Sequence, residues 1–303
     1  MKRILLTGGS GLLALNWAIT VRNQFELVLA MHHREISLKD VRSMKMETES
    51  YESILKAIDQ VRPDLIIHTA GLTSVEDCEK FPDLAKAVNT DFASHVSSVC
   101  AELSIPLVHI STDHIFSGEL QFATEDLPVK PINVYAATKA EAEVRVLENY
   151  PEALVVRTNF YGWGPSYRHS FSDQIIYSLR QGQEITLFDD VFYTPILAET
   201  LVQTVHELLA LNSCGIYNVV SDDRISKYDF GLAIAEHFEL DHSLIKRGKM
   251  SQKPGLVQRP YDMSLSNRKA SSLLAHPIGG LKQHLNRLLE QEKSGIINEI
   301  LEL

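Results

Sequence analysis

The sequence predicts an α/β fold in which a doubly wound parallel sheet lies between two layers of helices. Three observations favour this class. Short apolar runs alternate along the chain with longer helical patterns, the order that produces a parallel sheet. Runs such as residues 65–67 (Leu-Ile-Ile) are apolar at every position, as expected of strands buried on both faces. The first run is followed by a glycine-rich turn that leads into a helix.

The predicted elements follow one another regularly through the first two-thirds of the chain. Pro63 ends the second helix, Pro106 introduces the fourth strand, and Pro151 follows the helix that precedes the fifth strand, because proline cannot continue a helix. We predict strands at residues 2–7, 25–30, 65–69, 107–111, 154–157 and 215–220, and helices at residues 12–22, 50–61, 83–103, 133–149 and 196–211.

The regular alternation is interrupted after Thr158. Residues 159–169 (NFYGWGPSYRH) combine aromatic residues with Gly and Pro and are predicted to form a loop. Beyond residue 222 the pattern predicts helices at 228–238 and 280–293 and a loop near 254–260. Because no repeat, low-complexity run or linker is found, we expect a smaller C-terminal lobe interwoven with the sheet.

Composition and charge exclude several classes of protein. The chain has 303 residues, of which 45% are hydrophobic and 22% charged, as in globular proteins. Its 29 Lys and Arg residues against 39 Asp and Glu residues give a net charge of −10, which argues against a nucleic-acid binder. No run approaches the ~18 apolar residues of a membrane helix, and the N-terminal run stops at Leu6, short of a signal peptide's core. We expect a cytoplasmic protein whose partners include neither nucleic acid nor membrane.

The cysteines and histidines do not predict a metal site or a disulfide framework. Cys78, Cys100 and Cys214 are odd in number and widely spaced, which is typical of reduced thiols. Three histidines near predicted strand ends lack the spacing of metal ligands, so we interpret them as packing or polar-network residues. They are His68, His109 and His114.

The glycine-rich turn, residues 7–14 (TGGSGLLA), predicts a nucleotide-binding site. Gly8 permits the tight turn from strand to helix, and Gly11 lets the backbone approach a pyrophosphate at the helix N-terminus. The third position of this fingerprint needs only a small residue, and Ala14 satisfies it. The turn follows a predicted strand and opens a helix, the context that a Rossmann-type site requires.

The residues after the second predicted strand bear on the choice of cofactor. A site that prefers NAD usually places an acidic residue there to bind the ribose. This chain has Arg34, a cation that suits a 2′-phosphate, with Glu35 one position later. We therefore favour NADP, and NAD is the alternative if Glu35 binds the ribose and Arg34 is a solvated loop residue.

A threonine, a tyrosine and a lysine form a candidate catalytic set. Tyr135 and Lys139 are four residues apart on a predicted helix and therefore share a face. A nearby ammonium favours the phenolate, so we expect the pKa of Tyr135 to lie far below the usual value of about 10. Thr112 ends a buried strand, where ligands of open α/β sheets bind, and its hydroxyl can polarise a carbonyl.

These segments together resemble the extended short-chain dehydrogenase/reductase superfamily, and within it the dTDP-4-dehydrorhamnose reductase family of sugar-nucleotide reductases. The resemblance is carried by TGGSGLLA, RPDLIIHTAGLTSVEDCE, ISTDHIFSG, PINVYAATKAEAE and RTNFYGWG in this order. It covers residues 1–220 strongly and continues more loosely through residues 259–274. It implies an NAD(P)-binding Rossmann domain at residues 1–160 and 190–221, and a substrate-binding lobe at residues 161–189 and 222–303.

The resemblance also implies a role for each matching residue. Thr112 would hydrogen-bond the keto oxygen of the substrate, Tyr135 would donate the proton, and Lys139 would lower the pKa of Tyr135 and hold the nicotinamide ribose. Asp113 and Phe160 would contact the substrate, although the family typically has Trp at the second position. The residues expected to contact the cofactor are Gly8, Ser10, Gly11, Leu12, Leu13, Arg34, Thr69, Ala70, Gly71, Tyr135 and Lys139.

Three functions follow from this resemblance. The favoured one is an NADPH-dependent reductase of a nucleotide-linked 4-keto-6-deoxy sugar, with the nucleotide sugar as partner and a homodimer as the expected assembly. A second is an epimerase or dehydratase of the same superfamily, which would recycle tightly held NAD. The third is a non-catalytic regulatory subunit of an enzyme that synthesises S-adenosylmethionine, a role that some members of the family have.

Overall fold

The computed structural model describes residues 1–303, with strands and helices distributed along the whole chain. The strands are β1 (Arg3–Thr7), β2 (Glu26–Met31), β3 (Arg42–Lys45), β4 (Leu65–His68), β5 (Leu107–Ile110), β6 (Leu154–Arg157), β7 (Phe160–Tyr161), β8 (Ile185–Phe188), β9 (Phe192–Tyr193), β10 (Ile196–Leu197), β11 (Gly215–Asn218), β12 (Ile225–Ser226) and β13 (Ile245–Gly248). The α-helices are α1 (Leu12–Val21), α2 (Tyr51–Val61), α3 (Val75–Lys80), α4 (Pro82–Lys86), α5 (Phe92–Leu103), α6 (Val134–Asn149), α7 (Phe171–Arg180), α8 (Ala198–Ala210), α9 (Lys227–His237), α10 (Arg268–Ser271), α11 (Leu281–Ser294) and α12 (Asn298–Leu301).

Seven strands form one parallel sheet in the order β11-β6-β5-β4-β1-β2-β3. Every pair in this sheet is parallel, and strand order reverses between β1 and β4, where Thr7 is paired with His68. A reversal of this kind separates the loops at the carboxyl ends of two neighbouring strands and leaves a crevice between them. The predicted α/β class with a doubly wound, Rossmann-type parallel sheet is confirmed.

Helices cover both faces of the sheet, as the all-apolar strands predict. On one face α1 and α8 pack in a core that includes Trp17 and Leu201, and on the other α2, α5 and α6 pack in a core that includes Ile58 and Val96. The two layers leave the carboxyl ends of the strands as the accessible edge of the sheet.

A third core lies in the C-terminal part of the chain. It joins α7, α9 and α11 to the small β8–β13 sheet and contains Trp163, whose indole N–H donates to the carbonyl of Leu288 at 3.1 Å. The aromatic residues just after β6 thus reach into this core instead of forming only a surface loop. The division of the chain into the two predicted domains stays a prediction.

Several elements differ from the sequence-based expectation. The strand β3 was not predicted because it is short and mostly exposed at the sheet edge. The predicted helix 83–103 is helical, but a π-helical turn at Ala87–Asp91 separates α4 from α5. The predicted loop 159–169 contains the two-residue strand β7, which pairs with β10 at the start of the predicted helix 196–211. These short strands carry too few residues to show a periodicity.

No helix of the protein combines the length and the apolar character needed to span a membrane.

Candidate active site

A cavity of about 650 Å³ opens at the carboxyl ends of β1, β4, β5 and β6. Every residue predicted to bind cofactor or substrate lines it, although these residues come from six separate parts of the chain. They are Gly8, Ser10, Gly11, Leu12, Leu13, Arg34, Thr69, Ala70, Gly71, Thr112, Asp113, Tyr135, Lys139 and Phe160. The structure therefore brings the predicted site together, and the role of each residue stays a prediction.

The turn after β1 has the geometry of an anion-binding site. Gly8 has a φ of +68°, and a Cβ atom there would lie 2.8 Å from the Cα of Ala70, so only glycine fits. Gly11 precedes α1 and has no side chain to cap it, so the first-turn amides of the helix are free of side-chain partners. Free amides at a helix N-terminus bind phosphate groups, and this turn fits the pyrophosphate of a dinucleotide.

Arg34 lies at the same cavity and is held by an aromatic ring. Its guanidinium is stacked 3.9 Å from the ring centroid of Tyr167. The Tyr167 hydroxyl in turn donates to the carbonyl of Ser10 at 2.8 Å, which connects this cation to the phosphate-binding turn. Glu35 does not line the cavity, so the arrangement fits a 2′-phosphate better than an acidic ribose ligand.

The environment of Tyr135 differs from the prediction. Burial raises the pKa of the Tyr135 phenol to about 12, and the neighbouring Thr112 hydroxyl opposes this only in part. The expectation that Lys139 holds the pKa of Tyr135 far below its usual value is therefore wrong. The reason is that desolvation of the phenolate dominates, while the Lys139 ammonium is directed to the carbonyl of Ile110, at 2.7 Å. Tyr135 is a neutral phenol, which suits it to give a proton.

Lys139 is itself buried, and this lowers its pKa to about 8, a shift that the charge of Glu143 opposes. Glu143 is one turn further along α6 and forms an ion pair with Arg157 of β6, at 2.8 Å between Nη2 and Oε2. The two side chains are only 3% and 4% exposed. Ser111 also donates to Glu143, at 2.5 Å, so the end of β5 is fixed to the helix that carries Tyr135 and Lys139.

Asp113 is a buried carboxyl group at the other side of the catalytic set. The side-chain amide of Asn159 donates to it at 2.6 Å, and the Thr112 hydroxyl donates to it at 3.2 Å. Burial nevertheless raises the pKa of Asp113 to about 7. The group can therefore exchange a proton near neutral pH, beside Thr112 and the edge of the cavity.

Several residues of the site were not predicted. The segment from Tyr167 to Phe171 lies across the cavity, and Arg168 donates to Thr73 at 2.6 Å on the opposite side. Asn159 also lines the cavity. The aromatic, glycine-rich composition of residues 159–169 is the signal that could have indicated them, but it predicts only a loop and not where the loop folds.

Asn89 supports the site from outside the cavity. It lies in the π-helical turn, where its side chain accepts a hydrogen bond from the amide of Leu72 at 2.7 Å and donates to Thr138 at 3.1 Å. The loop after β4 is thereby linked to α6 between Tyr135 and Lys139. A π-helical turn often accompanies a functional site, and here it directs a polar side chain inward.

A second cavity of about 380 Å³ adjoins the first and shares Thr73, His114 and Phe171 with it. It is lined by the cations Lys227 and Arg259 and by the carboxylate of Glu76. The ammonium of Lys227 lies 4.4 Å from the ring centroid of Phe171. Burial lowers its pKa to about 8, a shift that the charge of Asp113 opposes. Arg259 donates to both oxygens of Glu76, at 2.5 and 2.6 Å. The cavity thus offers positive charge to an anionic group.

The three predicted packing histidines lie in or beside the first cavity. His68 and His109 are buried on neighbouring strands with their rings stacked at 5.3 Å, and His114 meets Tyr135 edge to face at 5.5 Å. No group of three or more His, Cys, Asp and Glu side chains is arranged to hold a metal ion.

The family model described as the RmlD substrate binding domain matches residues 1–294. The chain belongs to this family. A relative named as a probable low-salt glycan biosynthesis reductase, from Haloferax volcanii, is 31% identical over 84% of this chain and 86% of its own length. The dTDP-4-dehydrorhamnose reductase of Escherichia coli K12 is 25% identical over 78% of this chain and 84% of its own length.

A solved structure has the same fold as this chain. The dTDP-4-dehydrorhamnose reductase of Bacillus anthracis, in complex with NADP, is similar with a TM-score of 0.84 and 22% identity, covering 96% of this chain and all of that one. The predicted family and its oxidoreductase class are confirmed by the family model and the relatives.

Proposed function

We propose that this protein is an NADPH-dependent reductase of a nucleotide-linked 4-keto-6-deoxy sugar. The observation that carries the proposal is the shared cavity, which brings Thr112, Tyr135 and Lys139 to the same space as the phosphate-binding turn. The names of the relatives support the reaction type and the substrate class. The family model supports them over nearly the whole chain.

The cofactor would bind along the carboxyl ends of β1, β2 and β4. Its pyrophosphate would meet the amides of Leu12 and Leu13 beyond Gly11, and its 2′-phosphate would pair with Arg34. The NADP found in the structurally similar reductase supports this choice. When bound, NADPH supplies the hydride that the keto carbon accepts.

The residues of the chain would handle the proton and the charge. The Thr112 hydroxyl and the Tyr135 phenol would both hydrogen-bond the keto oxygen, which orients the carbonyl and polarises it. As the carbon accepts the hydride, the oxygen takes the proton of the Tyr135 hydroxyl and becomes an alcohol. Lys139, one turn away on α6, would hold the nicotinamide ribose, and solvent would return a proton to Tyr135.

The nucleotide end of the substrate would extend into the second cavity. Lys227 offers a cation there for a diphosphate, and Arg259 offers a second one that already pairs with Glu76. The shared residues Thr73, His114 and Phe171 join this space to the reaction centre. Both cations come from residues 222–303, which is where we predict the substrate-binding lobe.

The deciding experiment is a panel of nucleotide-linked 4-keto-6-deoxy sugars incubated with the purified protein and either NADPH or NADH. We expect stoichiometric NADPH oxidation and a reduced sugar for at least one member of the panel. Conversion of a sugar with no net NADPH consumption, and with cofactor retained through purification, would instead favour the epimerase or dehydratase. Absence of any reaction, with a larger protein co-purifying, would favour the regulatory subunit.

A further inference from the structure

His109 lies directly behind the proposed catalytic lysine. It is the buried third residue of β5, next to Ile110, and it does not line the cavity, whereas Lys139 and Ile110 do. Its Nε2 is 3.4 Å from the Nζ of Lys139, and the carbonyl of Ile110 is 2.7 Å from the same Nζ. Two consecutive residues of β5, His109 and Ile110, therefore both contact the Lys139 ammonium.

An ammonium has three N–H donors and no acceptor. Two of the donors of Lys139 are directed at the Ile110 carbonyl and at His109, and this leaves one for the cavity that the residue lines. A lysine side chain has four rotatable bonds, so a single hydrogen bond fixes its end poorly, and a second acceptor restricts it further.

The ring of His109 is held in the orientation that this contact needs. It stacks on His68 of the neighbouring strand at 5.3 Å with an interplanar angle of 20°. His68 is fixed by the hydroxyl of Thr7 at 2.8 Å from its Nδ1, and by the edge of Phe92 at 4.9 Å. Burial keeps the pKa of His109 well below 6.5, so the ring is neutral and can accept a hydrogen bond beside a cation.

We propose that His109 is a positioning residue for Lys139: its Nε2 accepts one hydrogen bond from the ammonium and, together with the Ile110 carbonyl, directs the remaining N–H at the reaction cavity. The effect of this contact on catalysis rests on the proposed function, whereas the contact does not. The contact itself is a property of the chain and can be tested without substrate.

The titratable groups around this ammonium come from four elements. Tyr135 and Glu143 lie on its own helix, His109 on β5 and His68 on β4. Arg157 of β6 acts through its ion pair with Glu143. Because only His109 among them is an uncharged acceptor within 3.4 Å of Nζ, its loss should weaken the protonated form of Lys139 and lower the pKa of that group.

The test compares His109→Phe, which keeps a planar ring and removes the acceptor, with His109→Gln, which keeps an acceptor. Nitrogen NMR of the lysine side chains, with the Lys139 signal assigned from its absence in Lys139→Met, gives the titration midpoint without substrate. We expect the midpoint to fall by about one pH unit in His109→Phe and to return towards the wild-type value in His109→Gln. The basic limb of the pH–rate profile should move in the same direction if the reductase proposal holds.

The matched control is His206→Phe, which removes a half-buried imidazole that accepts a hydrogen bond from the Trp17 indole and does not line the cavity. It should leave the Lys139 midpoint unchanged. An unchanged midpoint in His109→Phe would overturn the proposal, and so would an equal fall in His109→Gln, because it would show that shape and not the acceptor matters. If His109→Phe does not fold, His109→Leu serves in its place. A protein that shows the NMR shift but reduces no keto sugar would contradict only the proposed function.

Discussion

The two cavities of this protein are built in different ways. The first is formed mainly by strand ends, a glycine turn and one helix face, so its shape follows from the backbone of the parallel sheet. The second is lined in part by residues of the C-terminal part of the chain, among them Thr186 and Lys227. The first can be identified from short motifs because the backbone imposes the residue type, whereas the second depends on how a lobe of low sequence regularity folds. We expect substitutions in the first to act on the reaction, and those in the second on substrate affinity.

The largest effect is expected from a substitution of Tyr135, which tests whether the first cavity acts on the reaction. Replacement by Phe removes the proposed proton donor and keeps the ring, so we expect turnover to fall about 1,000-fold, roughly 4 kcal/mol in the activation barrier. The affinity for NADPH, measured by fluorescence titration, should change less than about twofold. Tyr177→Phe, on α7 and outside both cavities, is the control. Wild-type turnover in Tyr135→Phe would refute the mechanism.

The backbone character of the first cavity is tested by a pair of glycines. Gly8 and Gly182 have nearly equal φ values, +68° and +67°, but a Cβ at Gly8 would meet the backbone of Ala70 while one at Gly182 would meet nothing. We expect Gly182→Ala to cost about 1 kcal/mol of unfolding free energy, from the left-handed conformation alone, and Gly8→Ala about 3 kcal/mol. Denaturant titration measures both, and equal losses would contradict the close approach.

Arg34 contributes a charged side chain to the first cavity. Loss of its charge in Arg34→Leu should weaken NADPH binding about 30-fold, about 2 kcal/mol, because a charge-assisted contact to phosphate is lost. NADH has no 2′-phosphate, so its affinity should change little. Calorimetric titration of both cofactors against the variant decides the point, and an equal loss for the two would exclude a 2′-phosphate contact.

The second cavity should respond in affinity alone. Lys227→Met removes the ammonium and keeps an unbranched side chain, so the KM for the nucleotide sugar should rise about tenfold, about 1.4 kcal/mol. Turnover and the KM for NADPH should stay within about twofold. Lys246→Met removes an exposed, ion-paired charge and serves as the control. A large fall in turnover with an unchanged KM would show that Lys227 acts on the reaction instead.

Physical reasoning from the sequence predicted part of the first cavity, and the family resemblance supplied Thr69, Ala70, Gly71, Asp113 and Phe160. The tight turn at Gly8, the strand end at Thr112 and the helical spacing of Tyr135 and Lys139 are all local patterns that the backbone requires. The pKa of Tyr135 could not be predicted in the same way, since it depends on burial and on where the Lys139 ammonium is directed. Spacing shows that two groups can meet, but not that they do.

The site residues that were not predicted depend on contacts between segments far apart in sequence. Asn89 depends on a π-helical turn, and Tyr167 on the path of a loop that returns to Ser10. Lys227 depends on the packing of α9 against the rings of Phe171 and Tyr193. Each contact joins residues that are more than 15 positions apart, and no periodicity or motif in one segment specifies its partner in another.

The hydrogen bonds of Asn89 bear on the entropy of ligand binding. They fix the loop at Leu72 to Thr138, and the Thr90 hydroxyl donates to the carbonyl of Thr138 at 2.8 Å, so the two sides of the cavity are ordered together when the chain folds. The conformational freedom of this loop is therefore lost once, during folding, and not again with each ligand that binds. More of the contact energy between ligand and cavity is then expressed as affinity, because the loop is already in place.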